Sequence, residues 1–210
     1  MSFETGSIGP ALLYFWDMKT QYYTASTLNG FLADEKHSLD WLMQFGEIES
    51  MKDHYPHFIA EVGALAMGAN TYEWVVNHEN LVDHPEKWPY EKPCWVFTHR
   101  ELPKVSGADI RFTAADVSAV HDEMQKEILA QPPSGKNIWV VGGGELVGRF
   151  LDRNLLDEII VTFAPVLLAS GKPLLPRDLR TPPMKLVKAE VFDDVFATLT
   201  YAVNRAKSGT

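Results

Sequence analysis

Short runs of apolar and β-branched residues alternate along most of this chain with segments whose apolar residues recur at helical spacing. The short runs predict strands at residues 21–25, 64–67, 95–98, 138–141 and 158–163. Apolar residues on one face predict helices at residues 71–77, 116–130 and 145–154. Repeated alternation of strand and helix favours an α/β fold, with a mostly parallel central sheet and helices on both faces.

Three segments depart from this alternation. Residues 39–60 predict a helix that Pro56 breaks, because an interior proline removes a backbone donor. Residues 185–192 and 195–203 are strand-like runs joined by two aspartates, which predicts a C-terminal antiparallel hairpin. Residues 1–18 are weakly patterned, and we interpret them as an extension of a domain that covers residues 19–205.

Composition narrows the class of ligand. The chain has 210 residues, 46% of them hydrophobic, which suits one domain with a sizeable core. Its 28 acidic and 19 basic residues give a net charge of −9. Such a surface repels phosphate backbones and anionic lipids, so we expect neither nucleic acid nor membrane as a partner. A small anionic ligand remains compatible, since backbone N–H groups at a helix start can hold one.

Cysteine and histidine usage points to a reducing compartment and no metal. Cys94 is the single cysteine, which excludes an internal disulfide, and we interpret it as an inert core residue. The seven histidines show no spacing typical of a metal site. Residues 1–10 lack the pattern of a signal peptide, and the apolar run 11–16 is too short to span a bilayer. We therefore expect a cytoplasmic protein without a bound metal.

The strongest local motif is a glycine turn after the apolar run 138–141. Gly142, Gly143 and Gly144 follow that strand, and a helix follows them. Glycines let a ligand approach the main chain, and a helix start offers free N–H groups and a positive dipole end. This arrangement suits a pyrophosphate; a plain strand-to-helix turn is the alternative.

A Rossmann dinucleotide fingerprint is a specific rival for these glycines. Gly142, Gly144 and Gly148 resemble its spacing loosely. That fingerprint normally opens the first βαβ unit and precedes an acidic residue about 20 positions on. Here it lies two-thirds along the chain, and residues 165–169 contain no acid. We therefore reject the standard Rossmann interpretation.

Two further strand ends carry candidate ligand residues. Residues 67–73 place Gly68 between a strand and a helix, with Thr71 as an N-cap. Thr98, His99 and Arg100 end another strand, and a guanidinium beside a hydroxyl can bind phosphate. Each is weak alone. In a parallel sheet, all three strand ends lie at the same carboxyl edge, where open α/β sheets bind ligands.

The order of these motifs resembles that of a known family. The carrying segments are residues 25–33 (ASTLNGFLA), 40–42 (DWL), 67–73 (MGANTYE) and 140–146 (VVGGGEL). The chain is similar over residues 20–203 to the dihydrofolate-reductase-like superfamily. Within it, the branch that includes the C-terminal reductase domain of bacterial riboflavin biosynthesis is the most similar.

This resemblance implies an NADPH-dependent reductase of a small-molecule substrate. It also implies a homodimer, as does the otherwise exposed edge of the C-terminal hairpin. The implied cofactor residues fall into three groups: the pyrophosphate and nicotinamide half at Gly142, Gly143, Gly144, Glu145 and Leu146; the adenosine phosphates at Gly68, Asn70, Thr71, Thr98 and Arg100; and the nicotinamide at Ala25, Leu32 and Ala33.

Two positions depart from the family pattern. Asn29 stands where the family has aspartate, and Ala69 stands where it has an arginine that contacts phosphate. NADH is therefore an alternative cofactor, unless His99 and Arg100 compensate for the lost charge. No acid matches the pterin-binding carboxylate of true dihydrofolate reductases, which favours a riboflavin-type reductase or one of another, unassigned specificity.

The segment 29–49 is predicted to form the substrate wall, because it follows the strand that reaches the nicotinamide. Asp40 is the candidate proton donor, Trp41 offers a flat surface to a planar heterocycle, and Asn29 is a further substrate contact. Asp40 can equally cap a helix that begins at Trp41. A non-catalytic nucleotide-binding protein of the same fold is the alternative function.

Overall fold

The computed structural model describes residues 18–130 and 135–204, and an eight-stranded sheet runs through them. In chain order its strands are β1 (Thr20–Thr27), β3 (Val62–Gly68), β4 (Cys94–Phe97), β5 (Ile110–Thr113), β6 (Asn137–Gly142), β7 (Glu158–Ala164), β9 (Lys185–Phe192) and β10 (Phe196–Ala202). A small second sheet pairs β2 (Phe31–Ala33) with β8 (Lys172–Pro173).

The spatial order is β5-β4-β3-β6-β1-β7-β10-β9. The first six strands in this order are parallel, while β10 runs antiparallel to both β7 and β9. The predicted α/β class, parallel sheet and C-terminal hairpin are thus confirmed. The hairpin places β9 at the edge of the sheet.

Helices cover both faces of the sheet, as predicted. They are α1 (Asp40–Met43), α2 (His54–Ala60), α3 (Ala69–His78), α4 (Val117–Ala130) and α5 (Gly144–Asp152). Apolar side chains of α4 and α5 pack on one face in a cluster that includes Tyr22 and Val140. Those of α2 and α3 pack on the other face with Met67 and Trp139. Alternation of side chains along each strand supplies both layers.

The segment 39–60 differs from its prediction. It contains α1, a short 3₁₀ turn at Glu49–Met51, and α2. Pro56 does not break a helix there; it is the third residue of α2. The first four N–H groups of a helix lack intrahelical partners, so proline removes no hydrogen bond at that position.

Two predicted helix caps also differ. The residue that caps α3 is Gly68, and Thr71 lies inside the first turn. The helix near Asp40 begins at Asp40 itself, and its N-cap is Leu39. Asp116 does cap α4, since its carboxylate accepts a hydrogen bond from the Ser118 N–H at 2.9 Å.

Apart from Met18, the predicted N-terminal extension at residues 1–18 lies outside the described residues. Within the described ranges, no helix is both long and apolar enough to cross a membrane. The same part of the chain holds no group of three or more His, Cys, Asp or Glu residues placed to bind a metal ion.

Candidate functional site

A cavity of about 1160 Å³ opens where the carboxyl ends of the parallel strands meet. The middle of β1 and the ends of β3, β4 and β6 line it, together with the first residues of α3 and α5. Strand register explains this convergence, since Met67 pairs with Gly142 and Gly68 pairs with Phe97. Typical ligand pockets measure about 300–1,000 Å³. This cavity therefore has room for a large ligand and a small one together.

The glycine turn presents bare backbone to this cavity. Gly142 has a φ of +144°, which side chains rarely adopt, and its peptide bond to Gly143 is cis. Gly143 caps α5, and a Cβ built on it would meet nothing nearer than the Thr71 hydroxyl, at 4.0 Å. The open space beside Gly143 thus adjoins the free N–H groups at the start of α5.

Gly144 serves a different purpose, because protein already occupies the space beside it. A Cβ there would lie 2.5 Å from the carbonyl oxygen of Leu174 and 2.6 Å from that of Pro173. The absence of a side chain at Gly144 lets the segment after β8 pack against the start of α5.

A carboxylate in the first turn of α5 also lines the cavity. Arg177 donates to the two Glu145 oxygens at 2.7 and 3.0 Å, and its Nε donates to Asp152 at 2.9 Å. The hydrogen bond from Arg177 lowers the pKa of the Glu145 carboxyl. Because the arginine balances its charge, Glu145 repels an anion at the glycine turn only weakly.

Arg100 is the centre of a polar cluster at the start of α3. Its guanidinium donates to both Glu73 oxygens at 2.7 and 3.2 Å and to Asn70 Oδ1 at 2.9 Å. The Thr98 hydroxyl accepts a hydrogen bond from the Arg100 N–H at 2.9 Å. The charge of Arg100, whose side chain is 51% exposed, is therefore balanced by Glu73.

A second guanidinium reaches the cavity from the opposite face of the sheet. Arg149 lies on α5, and its guanidinium carbon is 5.7 Å from the centre of the Phe97 ring. Among the ion pairs and hydrogen bonds of residues 18–130 and 135–204, none involves the Arg149 side chain. Its positive charge lowers the pKa of Glu145 slightly, behind the larger effect of Arg177.

The other part of the cavity has an aromatic wall. Trp41 is buried there, and its indole N–H donates to the Leu32 carbonyl at 3.2 Å. Trp139 is likewise fixed, since its N–H donates to the Tyr23 carbonyl at 3.0 Å. Five aromatic side chains belong to this wall: Tyr23, Trp41, Trp74, Tyr90 and Trp139. Their flat apolar surfaces suit a planar ligand.

The Tyr23 hydroxyl contacts polar side chains that lie behind this wall. Its hydroxyl lies 2.9 Å from Nδ1 of His54, and Nε2 of the same imidazole lies 3.5 Å from a Glu190 oxygen. Burial raises the pKa of the Tyr23 phenol to about 12, with smaller contributions from Tyr55 and Glu190. Tyr23 is thus a protonated phenol at neutral pH, backed by an imidazole and a carboxylate.

The structure brings together all the residues that the sequence assigned to the cofactor, and Trp41 with them. The cavity lining includes Ala25, Leu32, Ala33, Gly68, Asn70, Thr71, Thr98, Arg100, Gly142, Gly143, Gly144, Glu145 and Leu146. The two remaining site candidates, Asn29 and Asp40, are exposed and do not belong to the lining.

Asn29 makes structural contacts instead. Its Nδ2 donates to the Leu168 carbonyl at 2.7 Å, and its Oδ1 accepts hydrogen bonds from the Thr27 hydroxyl and the Leu168 N–H. An aspartate cannot donate to that carbonyl. Asn29, which stands where the family has aspartate, therefore links the turn after β1 to the loop after β7 through hydrogen bonds.

Asp40 has no comparable role in the cavity. It opens α1 with its side chain exposed, and its backbone N–H donates to the Ser38 hydroxyl at 3.0 Å. It therefore forms part of the first turn of the helix. Its role as a proton donor stays a prediction that this geometry does not favour.

Sequence reasoning missed Tyr23, Tyr90, Trp139 and Arg149 as cavity residues. Tyr, Trp and other aromatic side chains pack more often in a core than in a ligand site, and Arg149 lies within the helix predicted at residues 145–154. One signal was available for Tyr23. It lies two positions before Ala25 on β1, and side chains two apart on a strand share a face.

The chain is similar to a known protein family and to two bacterial relatives. The RibD C-terminal domain family matches residues 69–198, well over half of the chain. This chain belongs to that family. Two Bacillus subtilis (strain 168) relatives are the uncharacterized proteins YwjB and YyaP. YwjB is 34% identical over 160 residues, covering 75% of this chain and 83% of YwjB. YyaP is 23% identical over 182 residues, covering 86% of this chain and 92% of YyaP.

Solved structures agree with this membership and confirm the resemblance drawn from the motifs. A Shewanella sp. PV-4 protein named for riboflavin biosynthesis superposes with a TM-score of 0.73 at 25% identity, over 90% of this chain and 100% of that one. The Thermotoga maritima diaminohydroxyphosphoribosylaminopyrimidine deaminase/5-amino-6-(5-phosphoribosylamino)uracil reductase gives a TM-score of 0.61 at 16% identity. That match covers 91% of this chain and 59% of the Thermotoga chain, and it shows the shared fold alone.

Proposed function

We propose that this protein is a reductase that uses NADPH, with NADH as the alternative cofactor, to reduce a small heterocyclic or carbonyl substrate. Family membership supports the reductase class, and the Thermotoga protein of the same fold carries a reductase in its name. The proposal for this chain rests on its own cavity.

The observation that carries the proposal is the open backbone at Gly143. A dinucleotide needs a place where its pyrophosphate can approach the main chain and meet unpaired N–H groups. Gly143 caps α5, faces the cavity, and has no neighbour that a Cβ would strike. The residues present therefore fit the group. Glu145, balanced by Arg177, adds no strong opposing charge.

The remaining lining separates into two regions that suit the two halves of the reaction. Ala25, Leu32 and Ala33 offer small apolar contacts for the nicotinamide, as the family resemblance implies. Beyond them lies the aromatic wall, which would take the substrate. A buried, flat, apolar surface excludes water and orients a planar molecule against the cofactor.

When bound, the reduced nicotinamide supplies a hydride to an electrophilic carbon of the substrate. The chain must then supply one proton to the oxygen or nitrogen that was double-bonded to that carbon. We assign this donation to the Tyr23 hydroxyl, since Tyr23 lines the cavity and holds its proton at neutral pH. His54, which contacts that hydroxyl and faces Glu190, is the group from which the tyrosine would recover a proton.

Titration with NADPH and with NADH, followed by tryptophan fluorescence, tests the binding step. Trp41, Trp74 and Trp139 line the cavity and should report a ligand there. The proposal predicts saturable quenching by the reduced dinucleotides. Absence of saturable binding by either one would overturn it.

A screen with NADPH then tests the reaction, using oxidised pterins, ribosylamino-pyrimidines and small carbonyl compounds. Oxidation of the cofactor by one of these classes supports the reductase. Tight cofactor binding without turnover in the whole panel would instead favour the non-catalytic nucleotide-binding protein.

A further inference from the structure

We infer that Arg149 is the residue that recognises the 2′-phosphate of NADPH, in place of the arginine that the family pattern puts at position 69. This inference rests on the proposed function, because it concerns the same cofactor. It assigns the choice between NADPH and NADH to a side chain on α5.

The positive charge that the family pattern places at position 69 is missing in this chain. Ala69 is the first residue of α3 and lines the cavity, but it carries no cation. The start of α3 therefore offers only its free N–H groups to a phosphate. Those groups cannot supply the full charge that a phosphate dianion favours.

The Arg100 guanidinium is already engaged. Both of its terminal nitrogens donate to the Glu73 carboxylate, at 3.2 and 2.7 Å. A phosphate at Arg100 would have to displace Glu73 or lie beside its negative charge. His99, its neighbour, also lines the cavity, but an imidazole lacks the bidentate fork by which a guanidinium holds a phosphate.

Arg149 lies at the same edge of the sheet. Its guanidinium lies over the Phe97 ring, and Phe97 pairs in register with Gly68, the N-cap of α3. Arg149 on α5 and position 69 on α3 thus lie at the same edge of the sheet, on its two opposite faces. Thr98 follows Phe97 and also lines the cavity.

The carboxylates near Arg149 are paired with other arginines. Two carboxylates act on it from beyond contact distance, Glu145 in the preceding turn and Asp116 at the start of α4. Each is paired with another arginine, Glu145 with Arg177 and Asp116 with Arg153. No hydrogen bond or ion pair within the described ranges occupies the Arg149 guanidinium. It can therefore form a charge-assisted, bidentate contact with a phosphate.

The test compares NADPH and NADH binding in Arg149→Gln. Loss of a charge-assisted contact should weaken NADPH binding by about 10- to 100-fold and leave NADH binding unchanged. Arg153→Gln is the matched control, since this arginine lies four residues on, pairs with Asp116 and does not line the cavity. It should alter neither affinity. Circular dichroism melts check that both variants are folded.

A rescue variant makes the assignment specific. Adding Ala69→Arg to Arg149→Gln should restore NADPH affinity, because the charge returns to the same edge from α3. In the unsubstituted protein, NADPH affinity should also fall more steeply with salt than NADH affinity, and Arg149→Gln should remove that difference.

The outcomes separate this inference from the proposed function. If the unsubstituted protein binds neither nucleotide, the proposed function fails and the inference with it. If it binds both equally, or if Arg149→Gln weakens both equally or neither, the inference alone is wrong. If Arg100→Gln selectively lowers the affinity for NADPH, then Arg100 and not Arg149 contacts the 2′-phosphate.

Discussion

The Tyr23 hydroxyl and Nδ1 of His54 lie 2.9 Å apart at the aromatic wall of the cavity. This pair joins a side chain that can face a substrate to an imidazole on α2, outside the cavity lining. A Glu190 oxygen lies 3.5 Å from the other ring nitrogen of His54. Tyr23, His54 and Glu190 thus form a chain of polar groups that leads from the cavity to a carboxylate.

Tyr23→Phe should therefore abolish most of the turnover while preserving the cofactor site. Loss of a general acid typically lowers the rate by about 100-fold or more, and phenylalanine keeps the ring contacts with Phe58 and Trp139. Cofactor oxidation with a substrate from the screen measures the rate, and tryptophan fluorescence measures cofactor affinity.

Two variants serve as controls for Tyr23. Tyr55→Phe removes a hydroxyl from the same aromatic cluster, but Tyr55 is exposed and does not line the cavity. Asp40→Asn removes the acid that the sequence favoured. Neither should lower turnover strongly. A large loss in Asp40→Asn together with normal rates in Tyr23→Phe would return the donor role to Asp40.

These two residues illustrate what could be predicted from the sequence. The central strands and the glycine turn follow from local patterns, because apolar runs, glycines and helix starts are read over a few neighbouring residues. Their shared edge follows from the parallel sheet. The candidate cofactor residues were therefore found together.

The roles of Tyr23, Asn29 and Arg149 depend on distant contacts. Tyr23 gains its partner from α2, which the sequence pattern placed poorly because of Pro56. Asn29 bonds to Leu168, 139 positions away. Arg149 reaches the cavity only because α5 packs over β4. Local patterns do not report such pairings.

The glycine turn gives the second prediction. In Gly143→Ala the new methyl group should enter the cavity and weaken NADPH binding by roughly tenfold or more, since a contact worth about 1.4 kcal/mol corresponds to a factor of ten. The fold should tolerate the change, because the nearest atom would be the Thr71 hydroxyl oxygen, at an unstrained contact distance of 4.0 Å. Fluorescence titration and a thermal melt measure the two effects.

Gly144→Ala is the matched control for crowding of the protein itself. Its methyl group would lie 2.5 Å from the Leu174 carbonyl oxygen. Overpacking of this kind costs about 1–3 kcal/mol of stability. The expected result is a lower unfolding free energy for Gly144→Ala only. Unchanged NADPH affinity in a folded Gly143→Ala protein would show that the pyrophosphate does not bind at this turn.

Asn29 gives the third prediction, which concerns stability. Asn29→Asp loses the donor to the Leu168 carbonyl and places a negative oxygen beside it. A hydrogen bond of this kind contributes about 1 kcal/mol, so the unfolding free energy in urea should fall by about that amount. Cofactor affinity should stay the same. Normal stability with a weakened substrate KM would support the substrate contact that the sequence suggested.

Buried phenols give the fourth prediction, an alkaline loss of stability. Burial raises the pKa of Tyr23 from 10.0 to about 12, and it also raises those of Tyr22 and Tyr90. The folded state therefore keeps protons that the unfolded state releases as pH rises above 10. Stability should be fully present below pH 10 and decline between pH 10 and 12. Urea unfolding at several pH values measures this slope, which should be smaller in Tyr23→Phe.

The last prediction is a homodimer that involves β9. This strand ends the sheet and carries two exposed valines, Val187 and Val191. Val187 is 55% exposed and Val191 is 71% exposed. An exposed apolar edge strand favours pairing with another chain, and a second copy is the partner that the family resemblance implies.

Light scattering at micromolar concentration should therefore report about twice the 23.6 kDa of one chain. Val187→Lys and Val191→Lys together place two charges on this edge strand and should give a monomer, since a buried unpaired charge opposes association. Val82→Lys is the control, because Val82 is 67% exposed in the loop after α3, away from β9. A monomeric unsubstituted protein would rule out the dimer. A dimer that persists in the double-lysine variant would move the interface to another surface.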